Sequence, residues 1–201
     1  MKRAKRPAGA FLFLKIPVFF MDLKKIAKEV SSLVNLVPAI AYGVLLWNDP
    51  HFLELLAASF LFFSFFPYYI VEEASKLPRN NVTKTRTVRN FLLSYAAGFA
   101  ALWVFNAPPI VLAFSASLVA GHILAYFITP HWMMSTHSLL SVQTMTILAL
   151  TGRLEAIPIF IIFLVFGWAR IYLKAHTPMQ YLAGGLVGFA LTAAAFMAVG
   201  G

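Results

Sequence analysis

The run Ala156-Ile157-Pro158-Ile159-Phe160-Ile161-Ile162-Phe163-Leu164-Val165-Phe166-Gly167-Trp168-Ala169 carries no charge, and it closes on Arg170-Ile171-Tyr172-Leu173-Lys174-Ala175-His176-Thr177-Pro178-Met179-Gln180. A second apolar run, 180–200, follows at once. A helix needs about 20 mostly apolar residues to cross a bilayer. This stretch therefore reads as two membrane helices joined by a short polar turn. Working outward, the pattern recurs at 30–47, 52–71, 91–106, 109–129 and 138–151, which with 156–173 and 180–200 gives seven candidate spans. The spans at 91–106 and 138–151 are short and are expected to lean on neighbours or thin the bilayer locally. Hydrophobic residues fill 61% of the 201 positions and charged residues 11%, where soluble domains carry about 25% charged. The expected fold is all-α, a polytopic membrane helical bundle of six to seven transmembrane helices. It forms one domain over 30–201, preceded by a basic interfacial segment at 1–29. Within that segment the apolar run 11–20 carries Lys15 and Pro17 and lacks a small-residue cleavage site, so it is not read as a signal peptide.

Charge sets the expected orientation. Eight of the 16 Lys and Arg precede the first span: Lys2, Arg3, Lys5, Arg6, Lys15, Lys24, Lys25 and Lys28. With seven spans, the loops on the same side hold Lys76, Arg79, Lys84, Arg86, Arg89, Arg170 and Lys174, and only Arg153 falls opposite. The positive-inside rule then puts the N-terminus and these loops in the cytoplasm. The net charge of +9 is explained by basic segments beside anionic headgroups, and no nucleic-acid partner is expected. There is no cysteine, which excludes disulfides and thiolate metal sites.

Three polar clusters share that face. They are Lys84-Thr85-Arg86-Thr87-Val88-Arg89, then Ser135-Thr136-His137, then Arg170, Lys174, His176 and Gln180. Two spans separate each cluster from the next, so parity alone puts all three at one end of the bundle. Ionisable groups at membrane depth are functional candidates by default. The set suits a phosphate or diphosphate. Arg donates two hydrogen bonds at once to such a group. A neutral imidazole can attack phosphorus and form a covalent intermediate, and a second imidazole can protonate a leaving alkoxide near neutral pH. Backbone N–H groups at the helix start after Thr136 can hold phosphate oxygens. No metal or other cofactor is expected, because the seven acidic residues form no plausible cage.

Arg170-x5-His176-x3-Gln180 resembles the third signature of the type 2 phosphatidic acid phosphatase superfamily, Ser-Arg-x5-His-x3-Asp. Ser135-Thr136-His137 resembles the second, Pro-Ser-Gly-His. The tail from His176 through Thr177, Pro178 and Gln180 to Gly184 is similar to a subgroup of small prokaryotic integral-membrane lipid phosphatases with a His-Thr-Pro-x-Gln motif. The resemblance covers about 81–188, and the third motif is its strong part. It implies a membrane-embedded, metal-independent phosphatase acting on a polyprenyl or glycerolipid phosphate or diphosphate. It implies His176 as nucleophile, His137 as general acid, Arg170 as phosphate clamp, and Ser135 with the Thr136 backbone as phosphate-cradling positions. The chain departs from the family in four places. The first signature, Lys-x6-Arg-Pro, is absent, and Lys84, Arg86 and Arg89 are the substitutes on offer. Ala169 stands for serine, Thr136 for glycine, and Gln180 for the aspartate that charges the nucleophilic histidine.

Each assignment has a plainer counterpart. Lys84, Arg86 and Arg89 also fit positive-inside anchoring, and Lys174 fits a snorkelling anchor. Thr177 can cap a helix with Pro178 at its first position and Gln180 completing a capping box, with or without a role toward His176. His122 and His131 read as structural, and the Gly184–Gly188 step marks close helix packing. The alternative function is a catalytically degraded family member that binds lipid phosphate headgroups without turnover. A transporter is disfavoured, since its spans would carry more polar residues. The sequence assigns no oligomeric state.

Overall fold

The computed structural model describes residues 22–77 and 81–200, and for Asn81 the backbone alone. The reading of 11–20 as interfacial, the six cations Lys2, Arg3, Lys5, Arg6, Lys15 and Arg79, and Gly201 lie outside the described residues; Lys24, Lys25 and Lys28 lie inside them. Among the described residues every regular element is helical. Seven helical segments follow one another: α1 (Leu23–Leu46), α2 (Phe52–Ser75), α3 (Asn81–Val104), α4 (Pro109–Ile128), α5 (Thr136–Leu150), α6 (Ala156–Tyr172) and α7 (Pro178–Ala198). Four of them, α1, α2, α4 and α7, are long and apolar enough to cross a membrane, and α6 is apolar but shorter. Among the described residues, length and composition therefore support four spans among seven helices. The other two depart for different reasons. The helix α3 starts ten residues before the expected 91 because the cation-rich run 81–90 is itself helical. The helix α5 is short and polar.

The first helix also starts earlier than expected. Asp22 caps it, accepting from the N–H groups of Lys24 and Lys25 at 3.0 and 3.2 Å. Two prolines then shape the N-terminal helices. Pro38 has no N–H to offer the helical ladder. The preceding turn Leu33–Leu36 tightens to a 3₁₀ turn, and the Val34 carbonyl accepts from Val37 instead. Ahead of Pro67, residues Leu61–Phe65 open into a π turn in which the Phe66 N–H reaches back to the Leu61 carbonyl. That leaves the Phe62 carbonyl without its usual partner, and the Ser94 hydroxyl of α3 donates to it at 2.6 Å. Backbone groups freed in lipid must be satisfied from a neighbouring helix, so the π turn of α2 is also its docking point on α3.

In a bilayer the lipid is as apolar as the side chains. Packing and interhelical hydrogen bonds hold helices together there, rather than hydrophobic burial. An aromatic column supplies the packing. Tyr42 of α1 meets Phe63 and Phe114 at ring-centre distances of 5.0 and 5.2 Å, Phe63 meets Tyr95 at 5.1 Å, and Tyr95 meets His122 at 4.4 Å. The hydroxyls of Tyr42 and Ser115 share a hydrogen bond of 2.8 Å. His122 donates from Nδ1 to the Leu118 carbonyl of its own helix, in keeping with a structural role.

The helix α5 runs through the middle of the bundle, packed on α7, α6, α4 and the second half of α1. Ser138, Ser141, Gln143, Thr144 and Thr146 are all buried on it. A helix enclosed by others need not match the lipid, which is why the short span expected at 138–151 carries so many polar residues. The interior is accordingly more polar than the composition suggested. Gln143 donates to the Ser117 carbonyl at 2.6 Å, and Thr192 donates to the Ser117 hydroxyl at 3.3 Å. These bonds tie α5, α4 and α7 together.

Candidate active site

The site is built where α5, α6 and α7 converge, with α1 and α3 beside them. The turn from α6 to α7 comes first. The Ala175 N–H donates to the Arg170 carbonyl and the Lys174 N–H to the Ile171 carbonyl, at 3.0 and 2.9 Å. This is the Schellman arrangement that ends many helices, and it needs a left-handed residue. Glycine usually takes that position, and here Lys174 does, at φ 52°. A non-glycine residue held there costs roughly 1–2 kcal/mol. The lysine read as an anchor thus sits at the reversal itself, and the reversal delivers His176 two residues on. Then α7 begins. The Thr177 hydroxyl accepts from the Gln180 N–H at 3.3 Å, and the Gln180 side-chain oxygen accepts from the Thr177 N–H at 2.9 Å, with Pro178 in the first turn. The capping box anticipated from the sequence is present.

Next, α7 is locked onto the start of α5. The Ser135 N–H donates to the Gln180 carbonyl at 3.1 Å. Gly184 lies directly on the Ser135 carbonyl, so close that a methyl group would have no room, and Gly188 does the same on the Leu139 carbonyl. The small-residue step is therefore the contact that brings the second and third clusters together. Ser135 is fully buried at this junction and its hydroxyl accepts from the Ser138 N–H at 3.4 Å, capping α5. Its side chain is engaged in the helix start, and the half-buried Thr136 follows as the first helical residue.

Around this junction the ionisable groups gather. His137 lies within electrostatic reach of Arg170 and His176, and His176 within reach of Arg170 and Lys84. The pairing expected from parity is thus seen as proximity: all three clusters contribute a residue. His176 is buried, and its pKa is pushed down to about 4. Burial is the main cause and the Arg170 charge the next, with a smaller push from Lys84. The Met133 carbonyl and the Gln180 side chain pull the other way. The ring is therefore neutral near pH 7, with a lone pair to offer. Its Nδ1 is buried and has no hydrogen-bond partner among the described residues. The Gln180 side chain makes the cap and also acts on the His176 ring, though not at Nδ1.

His137 is held from a helix that the sequence reading left out of the site. Its Nε2 lies 3.1 Å from the Ser31 carbonyl of α1 and donates to it. Its ring stands edge-on to Phe166 of α6 at 6.0 Å. The Ser31 hydroxyl turns back to the Ala27 carbonyl at 2.8 Å, and both residues are buried against the bundle. The available signal was the small pair Ala27 and Ser31, one turn apart on a helix otherwise studded with Lys24, Lys25 and Lys28. The carbonyl bond fixes the His137 tautomer, leaving Nδ1 as the nitrogen without a proton in the neutral ring.

The cations of α3 divide. At 100° per residue, Lys84 shares a face with the buried Val88 and Phe91 and comes near His176. Arg86 and Arg89 point to the other side of α3, are exposed, and line a separate cavity with Tyr126 and Pro130. Of the three substitutes for the missing first motif, the structure brings Lys84 near His176.

Compared with protein-family models, with curated proteins and with solved structures, the chain matches none.

Proposed function

We propose that this protein is a membrane-embedded phosphatase that hydrolyses a lipid phosphate or diphosphate without a metal, through a phosphohistidine. The observation that carries the reading is the convergence of His176, His137, Arg170 and Lys84, from three separate clusters, at one end of a helical bundle. The motif resemblance of 170–180 and 135–137 supports the same chemistry and assigns the roles. The neutral His176 ring attacks phosphorus, and the bond from phosphorus to the lipid oxygen breaks. Protonated His137 gives its proton to the departing oxygen. A water then attacks the phosphohistidine with His137 taking its proton back, which frees phosphate and His176. Arg170 and Lys84 hold the phosphoryl oxygens and offset their charge.

The lipid class is proposed from position. The site lies at the ends of apolar helices, where a headgroup meets its chains. The charge asymmetry of the sequence places that end on the cytoplasmic side. The test is phosphate release by the purified protein from a panel of polyprenyl and glycerolipid phosphates in chelator. Release that survives EDTA and is blocked by vanadate is expected, because vanadate adopts the five-coordinate geometry of the transfer. Strict dependence on added magnesium would overturn the reading.

One observation favours a second reading, a binder of lipid phosphates without turnover. Gln180 is a neutral amide that also caps the helix, and no carboxylate stands beside His176 among the described residues. Binding of a lipid phosphate with no release of phosphate over hours would select it.

A further inference from the structure

Arg86 and Arg89 are one helical turn apart on α3 and face away from the catalytic end of Lys84. With Val82 and Thr85 of the same helix and Tyr126 and Pro130 from the end of α4, they line a cavity of about 570 Å³. We propose that this cavity holds the headgroup of an anionic phospholipid, at a site separate from His176. It does not depend on the phosphatase reading.

Four observations carry it. The two guanidinium groups reach no carboxylate among the described residues. Arg89 touches only the side-chain oxygen of its neighbour Asn90, at 3.5 Å, and Glu73, the last acidic residue before α3, is taken by Lys76 at 2.6 Å. Two adjacent forks with free donors match the oxygens of a phosphodiester better than a single ammonium would. The rest of the lining is apolar or aromatic, and Val82 is 77% exposed. That composition suits the glycerol and upper chains of a lipid and gives a free phosphate ion nothing to pack against. The cavity also lies at the same end of the bundle as His137 and His176, where α3 begins and α4 ends, which is headgroup level for helices of this length. Its size falls within the roughly 300–1,000 Å³ range of ligand cavities.

The experiment uses full-length protein in detergent, titrated with phosphatidylglycerol or phosphatidylcholine and read by native mass spectrometry. The wild type should retain phosphatidylglycerol at least tenfold more tightly than phosphatidylcholine. Arg86→Gln with Arg89→Gln should abolish that preference, and Arg86→Lys with Arg89→Lys should keep part of it. Both positions are exposed, so melting by circular dichroism should not move. If it does move, Tyr126→Ala alone should still weaken phosphatidylglycerol severalfold. A double glutamine variant that binds within twofold of wild type overturns the proposal. So does displacement of the lipid by millimolar inorganic phosphate, which would make the cavity a free-anion site. His176→Ala should keep the preference. Its loss there would place the lipid in the catalytic site instead.

Discussion

His176 combines burial, two neighbouring cations and a neutral ring, and each property has a measurable consequence. Its pKa near 4 puts the acid limb of the kcat/KM profile near pH 4 rather than near 6.5, because that limb reports loss of the nucleophile's lone pair. Stability follows the same group. The unfolded histidine takes up a proton as pH falls below its ordinary value of about 6.5, and the folded one does so only near 4. The folded state therefore loses stability between those values and gains nothing above them. His176→Ala should remove that slope from a pH series of melts and also abolish phosphate release. Retention of more than a few per cent of the rate would exclude a phosphohistidine. Arg170 is tested by geometry rather than charge. Arg170→Lys should be nearly as damaging as Arg170→Ala, each lowering kcat/KM by roughly 10²–10³-fold, since the ammonium keeps the charge and loses the fork. Full activity in Arg170→Lys would reduce the clamp to a point charge. For Gln180 the cap is formed, and its side chain also acts on the His176 ring. Gln180→Leu should lower thermal stability by about 1 kcal/mol through the lost cap. If the rate per folded molecule is unchanged, Gln180 is a cap alone. Gln180→Asp adds a carboxylate beside the ring and should move the acid limb upward.

At the scale of elements, the site depends on one helix contact. Gly184 and Gly188 let α7 lie against the backbone of α5 at Ser135 and Leu139. A methyl group at 184 would meet a carbonyl that cannot swing aside, because the same residue's N–H is bonded to Gln180. Gly184→Ala should thus cost roughly 1–3 kcal/mol by overpacking. It should also reduce kcat more than a substitution of equal cost far from the site, such as one on the exposed face of α2, because His176 and His137 ride on the two helices being separated. Equal loss of stability with normal kcat would show that the site tolerates the displacement.

For the whole molecule, the testable property is sidedness. The chain has no cysteine, so a single introduced thiol reports position cleanly. Lys24→Cys should be labelled by an impermeant maleimide only after the membrane is opened, and Arg153→Cys in intact cells. The reverse pattern would put the histidines on the outer face and invert the supply of substrate. Membership of the lipid phosphatase superfamily is also a whole-molecule proposal, carried by motif spacing and by the gathering of the clusters.

Local signals were legible. Helices begin at Phe52, Pro109 and Ala156, where apolar runs begin, and Thr177, Pro178 and Gln180 form their capping box, because these features depend on residues within a turn of one another. Parity also anticipated the gathering of the three clusters, since it needs only the number of helices between them. Other features required the packed molecule. The sequence lists Lys84, Arg86 and Arg89 side by side, and only the rotation of α3 against its neighbours decides which reaches His176. The hydrogen bond from His137 to Ser31 joins residues 106 positions apart and uses a backbone carbonyl, which has no sequence signature. The helix α5 read as a short span expected to lean on its neighbours, and its full enclosure is a property of the other helices. Composition and short-range spacing thus determined that the chain is helical, with stretches long and apolar enough to cross a membrane, and named its histidines. The azimuth of each helix, fixed by long-range packing of glycines, aromatic rings and buried hydroxyls, decided which side chains meet.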